Sequence, residues 1–207
     1  MTNETLLSDK TPMPNDAQAG PALDWWQATH ASGRERPAEL PEGDRHLNVD
    51  RTFAFVDLAG FTSFTRDHGP HEAVVLLGEF RRVTRNVAAK RGVRVAKWLG
   101  DGVMMVSVDP TAAIAFSAHL MDHFNRTDLD VRIGLASGIA LLFEGDDYIG
   151  EPVNLAAKLC AAAQPGEMLA ACSIDDLPDW VSAESDIAVS IRGVGLIGDI
   201  RRLVPNL

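Results

Sequence analysis

At 207 residues the chain can bury one full core and still carry extensions. Its 46% hydrophobic and 23% charged residues are ordinary for a soluble globular protein. A net charge of −10 and a pI of about 5.0 argue against a nucleic-acid polymer or an anionic membrane surface as the main partner, but not against a nucleotide, whose phosphates a metal and a few cations neutralise locally.

The N-terminal stretch 1–21 is polar, carries Pro12, Pro14 and Gly20, and reads as disordered. Pro21 to Ala28 suits one short amphipathic helix. Its adjacent Trp25 and Trp26 are expected to dock on the domain or on a partner chain. From Ser32 to Asp50 the composition returns to Pro, Gly and charge, as in a linker. Residues 1–50 hold nine acids against four bases, so half of the net negative charge lies in this extension. The expected division is therefore an extension over 1–50 and one domain over 51–207. Cys160 and Cys172 form no disulfide framework and no metal-ligand spacing. With no secretory signal and no apolar run of transmembrane length, the expected location is a reducing cytoplasm, with no membrane segment in this chain.

The domain opens on Phe53-Ala54-Phe55-Val56-Asp57-Leu58-Ala59-Gly60-Phe61-Thr62. Aromatic and β-branched residues make its first half a buried strand. Asp57 follows the apolar run, Gly60 permits a tight turn, and Thr62 and Ser63 are expected to cap the next helix. A carboxylate at a strand end beside a helix N-terminus suits a cation and a phosphate together. Taken alone, Asp57 could equally cap a turn. Helical sequence runs from Ser63 to Lys90, and Gly69-Pro70 divides it into two helices. Val74, Leu77, Phe80, Val83 and Val87 recur at helical spacing and are expected to face the core.

Gly92 to Leu99 and Val103 to Val108 read as a hairpin around Gly100-Asp101-Gly102, with both strands expected at the centre of a sheet. Asp101 is an ordinary turn residue, yet there it can meet Asp57 if the first strand lies alongside. Lys97 lies in the apolar part of the hairpin, as a solvated edge lysine or a purposeful buried one. Asp109-Pro110 opens a helix whose Ala113, Phe116, Leu120 and Phe124 are expected inside. On it His119 and His123 stand four apart, a spacing open to a metal, though no third ligand is evident. Strands follow over 131–137 and 139–144. Asp146 to Asn154 leads into an alanine-rich helix over 152–163, on which Asn154 and Lys158 share a face. Strands over 168–171, 186–191 and 199–204 close the sheet, and Asp175-Asp176 reads as a turn or helix start. The alternation with frequent hairpins implies an α+β fold with a mostly antiparallel sheet.

Four motifs in order carry a resemblance: Asp-Leu-Ala-Gly-Phe-Thr, Lys-Trp-Leu-Gly-Asp-Gly, Arg-Ile-Gly-Leu-Ala-Ser-Gly and Asp-Tyr-Ile-Gly-Glu-Pro-Val-Asn-Leu-Ala-Ala-Lys-Leu. Together they resemble the class III adenylate/guanylate cyclase catalytic domain, over about Arg51 to Leu203. The resemblance implies a ferredoxin-like βαβ-type core with helices packed on the sheet. It implies that Asp57 and Asp101, with the Leu58 carbonyl nearby, bind two divalent cations, Mg2+ or Mn2+. Lys97 and Asp147 match the pair that reads adenine, and Asn154 the residue that orients the ribose. Arg132 matches an arginine on the triphosphate, and Gly60, Phe61 and Thr62 match the phosphate-cradling turn. Lys158 departs from the family, which has an arginine there on the phosphates.

The activity implied is conversion of ATP to 3′,5′-cyclic AMP and pyrophosphate, by a homodimer with active sites shared between chains. A different reading is a weakly active cyclase-like domain that binds nucleotide or a partner, and Lys158 keeps that reading open. A guanylate cyclase is disfavoured by Lys97 and Asp147.

Overall fold

The computed structural model describes residues 47–127, 129–143, 147–184, 187–191 and 195–206. The expected disordered tail and the Trp25-Trp26 helix lie outside them, as do Glu144, Asp146, Asp186 and Arg192. Strand β1 runs Leu47–Leu58. Its first four residues, read above as the end of a linker, therefore belong to the sheet. Helix α1 (Phe61–Arg91) leads to the hairpin β2 (Arg94–Leu99) and β3 (Gly102–Ser107). Helix α2 (Pro110–Phe124) then leads to β4 (Val131–Phe143). The four strands among these six elements pair in the order β2-β3-β1-β4 with every junction antiparallel, the βαββαβ ferredoxin-like arrangement.

Beyond this core come β5 (Asp147–Ile149), α3 (Glu151–Ala162), β6 (Met168–Ala171), β7 (Val181–Ala183), β8 (Ile187–Ile191) and β9 (Gly195–Pro205). β6 adds parallel to β4, and β9 then pairs antiparallel with β6, β7 and β8. The mixed, mostly antiparallel α+β fold is the one expected.

Side chains alternate across the sheet, so each face has its own cover. Ala54, Val56 and Leu58 of β1 join Phe80 of α1 and Phe116 and Leu120 of α2 in one buried cluster. The other face takes α3, and Gly134 of β4 is why it can. A Cβ there would lie 2.2 Å from both the Ala156 carbonyl oxygen and the Cys160 amide nitrogen. Any side chain at 134 would lift α3 off the strand.

Helix α1 breaks where the sequence indicated. Gly69 takes φ 85° and ψ 168°, non-helical values that glycine adopts without strain, and Pro70 opens the second segment. Its inner face is not quite the expected one. Phe80 and Val83 are buried and Leu77 and Val87 pack against the core, but Val74 is 69% exposed. The buried stripe passes through Ala73, Phe80, Thr84 and Ala88. A small residue occupies the inner position, so a reading by hydrophobicity chose its neighbour. The expectation for α2 holds: Asp109 Oδ1 accepts from the Thr111 amide at 2.9 Å, and Ala113, Phe116, Leu120 and Phe124 are buried.

The hairpin is central on one side only. β3 is buried at all six positions, whereas β2 is an edge strand with Arg94, Lys97 and Leu99 exposed. A lysine inside an apolar strand is one way an edge is kept from pairing further. No helix among the described residues is long and apolar enough to cross a membrane.

Candidate active site

Asp57 ends β1 opposite Gly102 on one side and Arg132 on the other. A Cβ at Gly102 would stand 3.0 Å from the Val56 carbonyl oxygen and 3.3 Å from Asp57 Oδ1, so the glycine makes room for that carboxylate. The Leu58 amide donates to the Asp101 carbonyl at 3.3 Å. Asp57, Leu58 and Asp101 are thus brought to one corner by the β1–β3 ladder, as the alignment of the first strand with the hairpin required.

Arg132 holds Asp57 through two contacts: Nε donates to Oδ2 at 2.8 Å, and Nη2 lies 2.6 Å from the same oxygen. Asp57 is 25% exposed and Arg132 38%. The arginine assigned to a triphosphate thus compensates the carboxylate assigned to a cation. Beneath them Cys160 donates its thiol to the Arg132 carbonyl at 3.3 Å. Burial, and then the charge of Asp57, push this thiol up to about 12, so it is inert at neutral pH.

The turn after β1 differs from the expected one in its cap. Gly60 is the N-cap residue of α1, at φ 81° and ψ 6°, and no side chain caps the helix. Phe61 opens α1, so Thr62 and Ser63 stand inside its first turn and are not caps. The first amides of α1 thus have no side-chain cap, and a helix start of this kind favours an anion.

Lys97 on β2 and Asp147 on β5 form an ion pair, 49% and 48% exposed. Register fixes their place. Lys97 lies opposite Met104, and Met104 opposite Phe55, two residues before Asp57 on the same side of β1. The ion pair and the Asp57–Arg132 corner therefore share one face of the sheet. Asn154 and Lys158 lie one turn apart on α3, the helix packed on that face, with Asn154 exposed and Lys158 half-buried.

Two further residues escaped the sequence reading. Arg94 Nη2 donates to the Tyr148 hydroxyl at 2.9 Å, and the Tyr148 ring meets Phe53 edge to face with centroids 5.3 Å apart. The signal available was one tyrosine beside Asp147.

The His119–His123 pair is not a metal site. His119 Nδ1 faces the Ala115 carbonyl at 3.0 Å, and Arg91 Nη2 approaches Nε2 at 2.8 Å. Both histidines line a cleft of about 540 Å3 with Asp122 and with Lys90, Arg91 and Arg126; Arg126 Nη2 already donates to Asp122 Oδ2 at 2.8 Å, and the cations disfavour a metal. The Asp175-Asp176 expectation holds: both lie in a 3-10 turn whose cap is Ser173. Among the described residues no three His, Cys, Asp or Glu side chains cluster as a metal cage.

Residues 45–177 match the family model of the adenylate and guanylate cyclase catalytic domain. An uncharacterized protein of Mycobacterium tuberculosis is 39% identical over 164 residues, 78% of this chain and 43% of that one. A pH-sensitive adenylate cyclase of the same species is 32% identical over 182 residues, 84% of this chain and 44% of its own length. The chain thus spans less than half the length of these curated relatives. Among solved structures, the adenylyl cyclase CyaB from P. aeruginosa superposes with a TM-score of 0.69 at 23% identity, over 77% of this chain and 96% of that one.

Proposed function

The chain belongs to the adenylate and guanylate cyclase catalytic domain family, and from that membership we propose that it converts ATP to 3′,5′-cyclic AMP and pyrophosphate, in a homodimer whose active sites are shared between chains. The observation that carries the adenylate reading is the Lys97–Asp147 pair. It offers a donor beside an acceptor, which complements a ring nitrogen and the exocyclic amine of adenine. Guanine presents a carbonyl in place of that amine and would leave both side chains mispaired, at about 1–3 kcal/mol for each group shut off from water.

Asp57, Asp101 and the Leu58 carbonyl would hold two divalent cations, Mg2+ or Mn2+. The donor set is all oxygen and too small for a closed cage, which suits an ion that completes its shell from phosphates and water. When bound, the cations stabilise charge on the triphosphate and lower the pKa of the ribose 3′-hydroxyl.

The chain's own groups do the positioning. Asn154 orients the ribose so that its 3′-oxygen lies in line with the α-phosphorus. The 3′-hydroxyl gives its proton to water, its oxygen forms the new bond to the α-phosphorus, and the bond from that phosphorus to the α,β-bridging oxygen breaks as pyrophosphate leaves. The amides of Gly60, Phe61 and Thr62 cradle the phosphates. Arg132 releases Asp57 and turns to the triphosphate. Lys158 places its charge on the phosphates as negative charge moves to the leaving group.

We assign the machinery to two halves, with Asp57, Asp101 and the phosphate turn acting from one chain and Lys97, Asp147, Asn154 and Lys158 from the other. Lys97 is two strands from β1, roughly 10 Å at the usual strand spacing. A two-fold axis over this face would set each half against the partner's complement. Leu99 stands opposite Gly102 on the same face, 44% exposed, and would give that contact apolar area.

The test is cyclic product formed from ATP or GTP with Mg2+ or Mn2+. Cyclic AMP is expected at tenfold or greater preference, about the effect of one mispaired buried group. Equal rates would overturn the adenylate reading. The shared site has its own check in mixtures of Asp57→Ala and Lys97→Ala, each inactive alone. A mixed dimer keeps one site intact, so random assortment should restore roughly a quarter of wild-type activity. No recovery in demonstrated heterodimers would sink the shared-site arrangement.

A further inference from the structure

An exposed ion pair between two mobile side chains contributes little by itself. Lys97–Asp147 is such a pair, so something else must keep its partners together. β5 is three residues long, and its ladder partners are Leu141, Leu142 and Phe143 of β4. β2 stands three strands from β4. For Asp147 to reach Lys97, the β4–β5 hairpin must curl across the sheet face. Tyr148, the next residue, is what meets that face. Its ring covers Phe53, which is fully buried, and its hydroxyl accepts from Arg94. The Arg94 guanidinium also lies 5.7 Å from the ring centroid.

A bulge in β2 makes this double contact possible. Val95 pairs with Met105 and Lys97 with Met104, so Ala96 is an extra residue. Arg94 pairs with Val106, and Val106 and Met104 share a face. Three residues apart in a regular strand, Arg94 and Lys97 would point to opposite sides. The bulge turns them to one side, where one holds Tyr148 and the other meets Asp147. Bulges beside functional sites re-aim side chains in this way.

We infer that Tyr148 and Arg94 are positioning residues for base selection: their bridge fixes β5 so that Asp147 is held beside Lys97 as the acceptor for an exocyclic amine. This rests on the adenylate reading above and names what makes that reading selective. The ring contact anchors the strand, and the hydroxyl bond sets where along the face it lies. Loosening the bridge should weaken discrimination between bases more than it weakens grip on the triphosphate, which other elements hold.

The experiment is competition binding to the full chain with Mg2+, using non-cyclisable α,β-methylene analogues of ATP and GTP. The proteins are the wild type, Tyr148→Phe, Arg94→Ala, Arg94→Lys and the double variant Tyr148→Phe/Arg94→Ala. Tyr148→Phe keeps the ring on Phe53 and should melt close to the wild type. Each of Tyr148→Phe and Arg94→Ala should narrow the ATP-to-GTP affinity ratio about three- to tenfold, the effect of one hydrogen bond. The double variant should be no worse than the stronger single one, because both changes remove the same bridge. Arg94→Lys still donates to the hydroxyl and should keep most of the ratio. A wild-type preference that survives in both single variants, equal losses for both analogues, or additive effects would overturn the inference. A wild type with no preference for the ATP analogue would overturn the adenylate reading itself, and this inference with it.

Discussion

Asp57→Ala and Asp101→Ala should each lower cyclic AMP formation on the order of a thousandfold or more, the scale of losing a charge-stabilising element at a phosphoryl centre. Each removes an anionic oxygen ligand from a small set, and no three His, Cys, Asp or Glu side chains cluster as a metal cage among the described residues. The fold should survive both changes. Asp57 is at the end of a strand whose buried anchors are Phe53, Val56 and Leu58, and Asp101 is in a turn. Asp57→Ala has one structural cost, since it leaves Arg132 without its partner. That guanidinium is partly exposed and can turn to water, so the loss should be small beside the loss of activity. Asp57→Asn separates the two effects. It retains a hydrogen-bond acceptor for Arg132 but not the charge a dication needs. Initial rates with Mg2+ and Mn2+, read beside thermal melting, check this. Activity within a few-fold of wild type in either alanine variant would defeat the metal assignment.

What the sequence revealed was mostly what is local. Asp109-Pro110 is a cap because both residues act within one turn, and Gly69-Pro70 breaks α1 for the same reason. Asp57 and Asp101 could be brought together on paper because a hairpin beside a strand has few alternatives. Misread or missed features depended on partners far along the chain. The Asp57–Arg132 pair joins residues 75 apart, and Arg94–Tyr148 joins residues 54 apart through a bulge that leaves no mark in Arg-Val-Ala-Lys-Trp-Leu. Val74 and Ala73 differ by about 100° on the helix, a phase that Gly69 resets and that only packing reveals. The place of β2 at an edge was hidden because Trp98 makes it read as core. Trp98 does pack inward on Phe80, while Lys97 beside it faces the other way.

Lys158→Arg should raise kcat roughly tenfold with little change in KM, and Lys158→Ala should lower kcat further, because a preorganised donor of this kind is worth about a hundredfold in turnover and a lysine retains only part of it. An arginine gives a phosphate two parallel hydrogen bonds in a fixed plane, whereas a lysine gives a point charge on a flexible stem. The difference matters most as charge passes from the α-phosphate to the leaving pyrophosphate. Ground-state binding of ATP changes less, which is why the effect should fall on kcat. Lys158 is half-buried on α3, one turn past the exposed Asn154. The flanking residues Leu155, Ala156 and Leu159 are buried against the sheet, and Gly134 holds the helix in contact with β4. The backbone that carries the substitution is therefore rigid, and a gain in rate would report the side chain and not a shift of the helix. Single-turnover rates and ATP titrations for the three proteins separate kcat from KM. If both substitutions leave kcat unchanged, Lys158 does not act in the transition state, and another cation must carry that charge.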